Sequence, residues 1–147
     1  MTADMGVHRF TYSVLPFSGS FAESRVTQEA YECNVEVTTA DFPEERIAPE
    51  AVKDVVSFFE LEGGHVVLET FKPAFDRKDG VVLRLYESKG CAGTTQLVLP
   101  QQTGCTVKQA YICNMLEEPE RELEVKDGRL HLSFRAFEIK TVLLVMG

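Results

Sequence analysis

A cluster of polar side chains lies on two neighbouring strands predicted within VVLETFKPAFDRKDGVVLRLYE, residues 66–87. Glu69 lies in the first strand, and Arg84 and Tyr86 lie in the second. A carboxylate, a guanidinium and a phenol together can hydrogen-bond the hydroxyl groups of a sugar. The cluster is therefore a candidate polar site. The competing interpretation is the outward face of a hairpin.

The predicted register of this hairpin favours the second interpretation. Symmetric closure of the loop 74–79 pairs Glu69 with Arg84. Such a cross-strand ion pair contributes roughly 0.2–1 kcal/mol to stability and needs no ligand. The other pairs in this register are Val67 with Tyr86, Leu68 with Leu85 and Phe71 with Val82.

The sequence indicates no other arrangement of catalytic or metal-binding residues. The sequence has no Gly-x-Ser-x-Gly elbow, and no pair of acidic residues lies in an apolar context that would raise a pKa. The histidines lie far apart and no cysteines form Cys-x-x-Cys, which speaks against a zinc site. These residues are His8, His65 and His131, with Cys33, Cys91, Cys105 and Cys113. We therefore predict no catalytic residue, no metal ligand and no cofactor in this chain.

The composition is that of one globular domain spanning residues 1–147. The net charge of −8 disfavours binding to nucleic acid or to anionic membrane surfaces. No apolar run approaches the ~20 residues that cross a bilayer. Four cysteines without a pairing pattern favour reduced thiols and a cytoplasmic location.

The N-terminal part of the chain predicts one strand and one helix. Residues 8–14 alternate apolar and polar side chains, which is typical of a half-buried strand. Ser20 and Glu23 form a capping-box pattern at the start of a short helix that ends near Asn34. Residues 38–53 predict a long surface connection.

The rest of the chain predicts strands separated by turns that carry Gly, Pro or Asp. We expect these strands near residues 55–61, 65–72, 80–87, 94–99, 105–115, 121–126, 129–134 and 137–145. Many short strands with one minor helix predict an all-β fold, an antiparallel β-sandwich with one short helix near the N-terminus.

The hairpin with the strongest local signal lies at residues 121–134. Asp127-Gly128 is a preferred pair for a type I′ turn of two residues. Closure at this turn pairs Leu123 with Leu132 on one face and Glu124 with His131 on the other.

The last predicted strand is apolar on both faces from residue 142 onward. Val142, Leu144 and Met146 continue the face on which Glu138 and Lys140 lie. A strand of this kind is normally covered on both sides. We therefore predict that these three apolar residues form an interdomain contact, through which the isolated module self-associates.

Three segments carry a resemblance to a known family. Residues 66–87 resemble the run V-V-L-x-x-x-K-P-A followed by G-x-V-L-R-L-Y-E in the glycoside hydrolase family 38 α-mannosidases. The opening DMGVHRFTYSVLPFSGSF, residues 4–21, is similar to the family's D-x-G-x-H-x-F-x-Y-x-L-x-P segment, and AFEIKTVLLV, residues 136–145, resembles its F-E-I-K-T strand. Phe17 stands where the family commonly has His after the proline.

The resemblance implies a C-terminal β-sandwich module of an enzyme that hydrolyses terminal α-linked mannose. It places zinc and the catalytic residues in a catalytic domain that this chain does not match. The implied partners are that catalytic domain and, through the parent enzyme, mannose-containing glycans. Two functions follow as hypotheses: a non-catalytic module that supports the catalytic domain, and a module that binds carbohydrate by itself. An autonomous glycosidase is disfavoured because the paired acids and metal ligands are missing.

Overall fold

The structure, a computed structural model, describes residues 5–39, 41, 57–100 and 106–147. The chain divides into two compact units, Met1–Glu36 and Val37–Gly147, where the sequence predicts one domain. The predicted connection at 38–53, the start of the predicted strand 55–61 and Cys105 lie largely or wholly outside the described residues.

The second unit is built from antiparallel strands. Their bounds are β1 Glu60–Glu62, β2 Val66–Pro73, β3 Gly80–Glu87, β4 Gly93–Val98, β5 Val107–Cys113, β6 Pro119–Leu123, β7 Arg129–Phe134 and β8 Ile139–Met146. A three-stranded sheet has the order β1-β4-β7, and a five-stranded sheet has the order β2-β3-β8-β5-β6. The predicted antiparallel β-sandwich is confirmed.

The core of the sandwich forms because alternate residues of each strand point to the same face of a sheet. Leu83 and Leu85 of β3 share one apolar cluster with Leu130 and Leu132 of β7, so the inner faces of both sheets contribute. Burial of this apolar surface is the main force that holds the two sheets together.

The structure contradicts the predicted interdomain contact on β8. Val142 and Leu144 are completely buried in the sandwich core, and Met146 packs half-buried against the same cluster. Strand β8 lies in the middle of the five-stranded sheet, between β3 and β5. Its apolar residues therefore line the centre of the domain, and the sequence pattern does not distinguish a central strand from an interface strand.

A second apolar cluster covers the other face of β8. Leu143 packs with Val82 and Cys113. The register places Val82 of β3 opposite Leu143, and Cys113 of β5 opposite Thr141, two positions away on the same face of β8. Because side chains alternate along a strand, this cluster lies on the outer face of the sheet. Strand β8 is thus covered on both sides, as its sequence predicts, but both covers belong to this unit.

The hairpin predicted at residues 121–134 is correct at its turn and wrong along its strands. Asp127 and Gly128 both have positive φ, 50° and 69°, and Lys126 and Arg129 exchange two backbone hydrogen bonds across them. Beyond that bridge the chain separates, since β6 pairs with β5 in one sheet and β7 pairs with β4 in the other. The two-residue turn therefore connects the two sheets of the sandwich.

The first unit contains less regular structure than the sequence predicts. A 3-10 turn spans Phe21–Glu23, and helix α1 spans Val26–Asn34. The Glu23 carboxylate accepts a hydrogen bond from the Ser20 N–H at 3.0 Å, as the capping-box pattern predicts, but it stabilises the 3-10 turn. Residues 8–14 form no strand within the described structure, because no neighbouring strand supplies hydrogen-bond partners.

Candidate functional site

The polar cluster predicted on β2 and β3 is brought together by the fold. Glu69, Arg84 and Tyr86 line one cavity of about 230 Å³ on the outer side of the five-stranded sheet. Met115, from the loop after β5, and Ile139, at the start of β8, contribute apolar walls. The cavity therefore combines a cation, a carboxylate and a phenol with an apolar rim.

The predicted ion pair between Glu69 and Arg84 is not formed. The register agrees with the prediction from Val66 to Leu68, and then a β-bulge shifts it by one residue, so that Thr70 lies opposite Arg84. The Glu69 carboxylate instead accepts a hydrogen bond from the Thr70 hydroxyl. A bulge re-aims the side chains that follow it, which is why the symmetric register fails here.

Arg84 is left with an unusual set of partners. Its Nη2 donates to the backbone carbonyl of Met115 at 3.3 Å. Its Nε is buried and has no hydrogen-bond partner among the described residues. A buried donor without an acceptor costs free energy, so the Nε of Arg84 is an unfavourable feature of this unit taken by itself.

A second polar feature fastens two loops across the outer face of the sheet. Lys72 of β2 forms an ion pair with Glu117, which lies in the loop between β5 and β6. The Glu117 carboxylate also accepts the Phe75 N–H at 2.9 Å. The ion pair with Lys72, and next the Phe75 N–H, hold the pKa of Glu117 below its usual value. Lys72 lies opposite Val82 in the register of β2 and β3, so this ion pair lies beside the outer apolar cluster.

Glu87 ends β3 and is the most deeply buried acidic residue that the structure describes, with 2% of its surface exposed. Its carboxylate accepts backbone N–H groups from Lys89 and Gly90, at 2.8 Å each, and from Phe137 at 2.9 Å. Burial alone raises the pKa of Glu87, but the N–H groups, with that of Cys91 among them, outweigh burial and lower it. An ionised Glu87 thus joins the β3–β4 loop to the β7–β8 turn.

Glu87 also borders a second cavity, of about 240 Å³. Its potentially reactive lining side chains are His65 and Cys91, and its walls include the glycines Gly64 and Gly93. The Glu87 carboxylate is already satisfied by backbone donors, so it is not available as a general base. We therefore interpret this cavity as a gap between loops and not as a catalytic site.

The described residues contain no group of three or more His, Cys, Asp or Glu side chains placed to hold a metal ion. Cys33, Cys91 and Cys113 are free thiols, and burial raises the pKa of Cys113. Across the part of the chain that the structure describes, no helix has the length and apolar character needed to cross a bilayer.

Two of the residues that organise this surface were not identified from the sequence as parts of it. Glu117 has no distinctive local pattern, because its partners Lys72 and Phe75 lie far away along the chain. Met115 resembles any exposed loop residue until the fold places it against Arg84. Contacts of this kind depend on the packing of two loops and leave no signal in local sequence.

The comparisons with known proteins agree with this architecture. A sequence model described as the glycosyl hydrolases family 38 C-terminal β-sandwich domain matches residues 65–142. The chain is 37% identical over 150 residues to α-mannosidase 2C1 of Mus musculus and 36% identical over 149 residues to that of Homo sapiens. It is 32% identical over 143 residues to α-mannosidase G of Dictyostelium discoideum.

These similarities cover nearly all of this chain and a small part of each relative. The aligned regions include 99% of the chain for the mouse and human proteins and 95% for the Dictyostelium protein. The chain spans only 14%, 14% and 12% of the respective relatives. The match to the family model runs from β2 to the middle of β8 and so includes strands of both sheets. The chain therefore belongs to glycosyl hydrolase family 38 and carries that family's C-terminal β-sandwich domain.

Proposed function

We propose that this chain is the non-catalytic C-terminal module of an α-mannosidase that acts on terminal α-linked mannose. The observation that carries the proposal is the match to a C-terminal domain, combined with relatives that are named α-mannosidases and are about seven times longer than the aligned region. The module's partner is the catalytic portion of the parent enzyme, and mannose-containing glycans are reached through that portion.

The outer surface of the five-stranded sheet supports a packing role. Met115, Leu116 and Ile139 are exposed apolar residues around or beside the cavity of Arg84. An apolar rim around a cavity lined by Arg84, whose buried Nε has no acceptor among the described residues, is suited to packing against a protein surface. A module of this kind contributes to the enzyme by stabilising the catalytic portion.

We propose that zinc binds only to the catalytic portion of the parent enzyme. The described residues of this chain do not fit a zinc site, because they hold no cluster of the required ligands. We propose a cytoplasmic location for the parent, since the free thiols fit a reducing compartment.

The proposal is tested by comparing the chain with its parent enzyme. The purified chain is expected to leave an aryl α-mannoside unhydrolysed, with or without added zinc. Deletion of residues 57–147 from the parent is expected to lower its thermal stability and its α-mannosidase activity. Zinc-dependent turnover by the pure chain, abolished by a substitution within it, would contradict the proposal. So would a parent enzyme that tolerates the deletion unchanged.

A second candidate function is carbohydrate binding by the module itself. The cavity favours it because Glu69, Arg84 and Tyr86 offer acceptors, donors and a ring at one place. Titration of the chain with methyl α-mannoside, followed by NMR, is expected to shift the signals of these residues if the cavity binds sugar. Arg84→Met is the matched variant, since it removes the guanidinium and keeps a side chain of similar length. Unchanged spectra at high sugar concentration would remove this candidate.

A further inference from the structure

Within its described residues, 5–36, the first unit has no core of its own. None of its described residues, 5–36, is buried. Folded domains are stable because they remove apolar surface from water, and a unit this small without buried residues has no such source of stability. The first unit is therefore incomplete as a folding unit.

The segment at residues 7–14 has the sequence of a strand, but it belongs to neither of the sheets that the described residues form. Phe10 and Tyr12 alternate with Thr11 and Ser13, and both aromatic side chains are 82% exposed. Neither sheet of the second unit includes a strand from this segment. An extended, alternating segment of this kind is suited to add to the edge of a sheet, where the alternate side chains enter an apolar surface.

Helix α1 also lacks buried residues. It has nine residues and buries none of them, although Val26 and Tyr31 are partly covered. Isolated helices of this length are marginal in water, so most of their stability comes from tertiary packing. The Ser13 hydroxyl lies 3.6 Å from the Cys33 sulfur, so the extended segment contacts the helix within the first unit.

The comparisons indicate which part of the parent enzyme would cover the exposed apolar residues of the first unit. The match to the C-terminal sandwich begins at residue 65, after the whole of the first unit. The similarity to α-mannosidase 2C1 nevertheless covers 99% of the chain, so the first unit also has a counterpart in those enzymes. About six-sevenths of each of these relatives lies outside the aligned region.

We propose that residues 5–36 complete a second domain of the parent enzyme, whose remaining part lies outside this chain. Residues 7–14 form an edge strand that pairs with a β-sheet of that domain, and Phe10, Tyr12 and Val14 enter its apolar face. Helix α1 packs beside this strand. The boundary with the C-terminal sandwich falls between Glu36 and β1. This proposal rests on the proposed function, because the partner is the remaining part of an α-mannosidase chain.

Hydrogen exchange of backbone amides tests the proposal, measured on the isolated chain and on the full-length parent. Amides of residues 7–14 are expected to exchange rapidly in the isolated chain and at least about 100-fold more slowly in the parent, where the strand is paired. Tyr12→Asp is expected to abolish that protection. The matched control is Thr11→Asp, which adds the same charge to the opposite face and is expected to retain most of it.

Two results would overturn the proposal. One is equally rapid exchange of residues 7–14 in the parent and in the isolated chain. The other is protection that appears in the isolated chain and rises with its concentration, since the partner would then be a second copy. The proposed function has a separate readout, the dependence of the parent's activity on residues 57–147. A parent that needs the sandwich but leaves residues 7–14 unprotected would retain the proposed function and contradict this inference alone.

Discussion

The carboxylate of Glu87 accepts a hydrogen bond from the backbone N–H of Phe137, 2.9 Å away and 50 residues later in the chain. Phe137 has positive φ, 57°, so this contact stabilises a turn that is unfavourable for a side chain with a Cβ atom. The same carboxylate accepts N–H groups of the β3–β4 loop. One buried anion therefore organises two loops at one end of the sandwich.

Glu87→Gln is expected to lower the free energy of unfolding by about 1–3 kcal/mol, because the amide brings an N–H₂ group against backbone donors and removes the charge that they stabilise. Urea unfolding at pH 7 measures this loss. The control is Glu122→Gln on β6, an exposed residue for which the change is expected to stay within about 0.5 kcal/mol. Equal losses for the two variants would show that Glu87 does not organise the loops.

The effect of Glu87 is expected to depend on pH in one direction. The pKa of Glu87 is lower in the folded chain than its ordinary value of 4.5, so its ionised form favours folding. That stability is fully present above pH 4.5 and is lost as pH falls through the depressed pKa. The difference between the wild type and Glu87→Gln should therefore be constant at neutral pH and should narrow in acid. A difference that widens in acid would contradict the assignment.

Gly128→Val is expected to destabilise the sandwich by about 1–2 kcal/mol, since Gly128 has φ of 69° and a β-branched residue resists the left-handed region. Thermal unfolding measures this loss. Gly93→Val is the matched control, because Gly93 lies on β4 with open space at its Cβ position, and Val favours strands. The turn assignment fails if Gly128→Val is as stable as the control.

Leu144→Ala distinguishes a core residue from an interface residue. Leu144 is completely buried, so the truncation is expected to cost about 2–5 kcal/mol in the isolated chain. Leu116→Ala is the control, since Leu116 is 76% exposed and is expected to change stability by no more than about 0.5 kcal/mol. Unchanged stability together with reduced self-association of Leu144→Ala in light scattering would restore the interface interpretation.

The clasp between Lys72 and Glu117 is tested by a double-mutant cycle with Lys72→Met and Glu117→Gln. The two side chains are partly shielded, so a coupling free energy of about 0.5–1 kcal/mol is expected at pH 7. The pKa of Glu117 is lowered by Lys72, so the coupling should be present above pH 4.5 and should disappear as pH falls through the depressed pKa. Additive effects of the two substitutions at pH 7 would mean that the ion pair contributes no stability.

The sequence by itself determined the class of fold and most of the strands. Alternation of apolar residues and the positions of Gly, Pro and Asp predicted strands that overlap β2 through β8, and Asp127-Gly128 predicted the turn that the structure contains. These signals are local, because a strand must alternate to bury one face and a type I′ turn needs positive φ at both positions. The structure places Glu69, Arg84 and Tyr86 around one cavity, since they lie on adjacent strands of one hairpin.

The tertiary structure alone decided which strands pair and which faces are covered. Leu123 and Leu132 satisfy the same alternation whether they are paired in one hairpin or face each other across a core, and the structure has them on different sheets. The apolar run of β8 fits a central strand as well as an interface. The bulge after Leu68 and the partners of Glu87 and Glu117 depend on contacts between segments distant along the chain. The local sequence pattern shows whether each position is polar or apolar. Packing of the whole domain decides which strands lie next to each other.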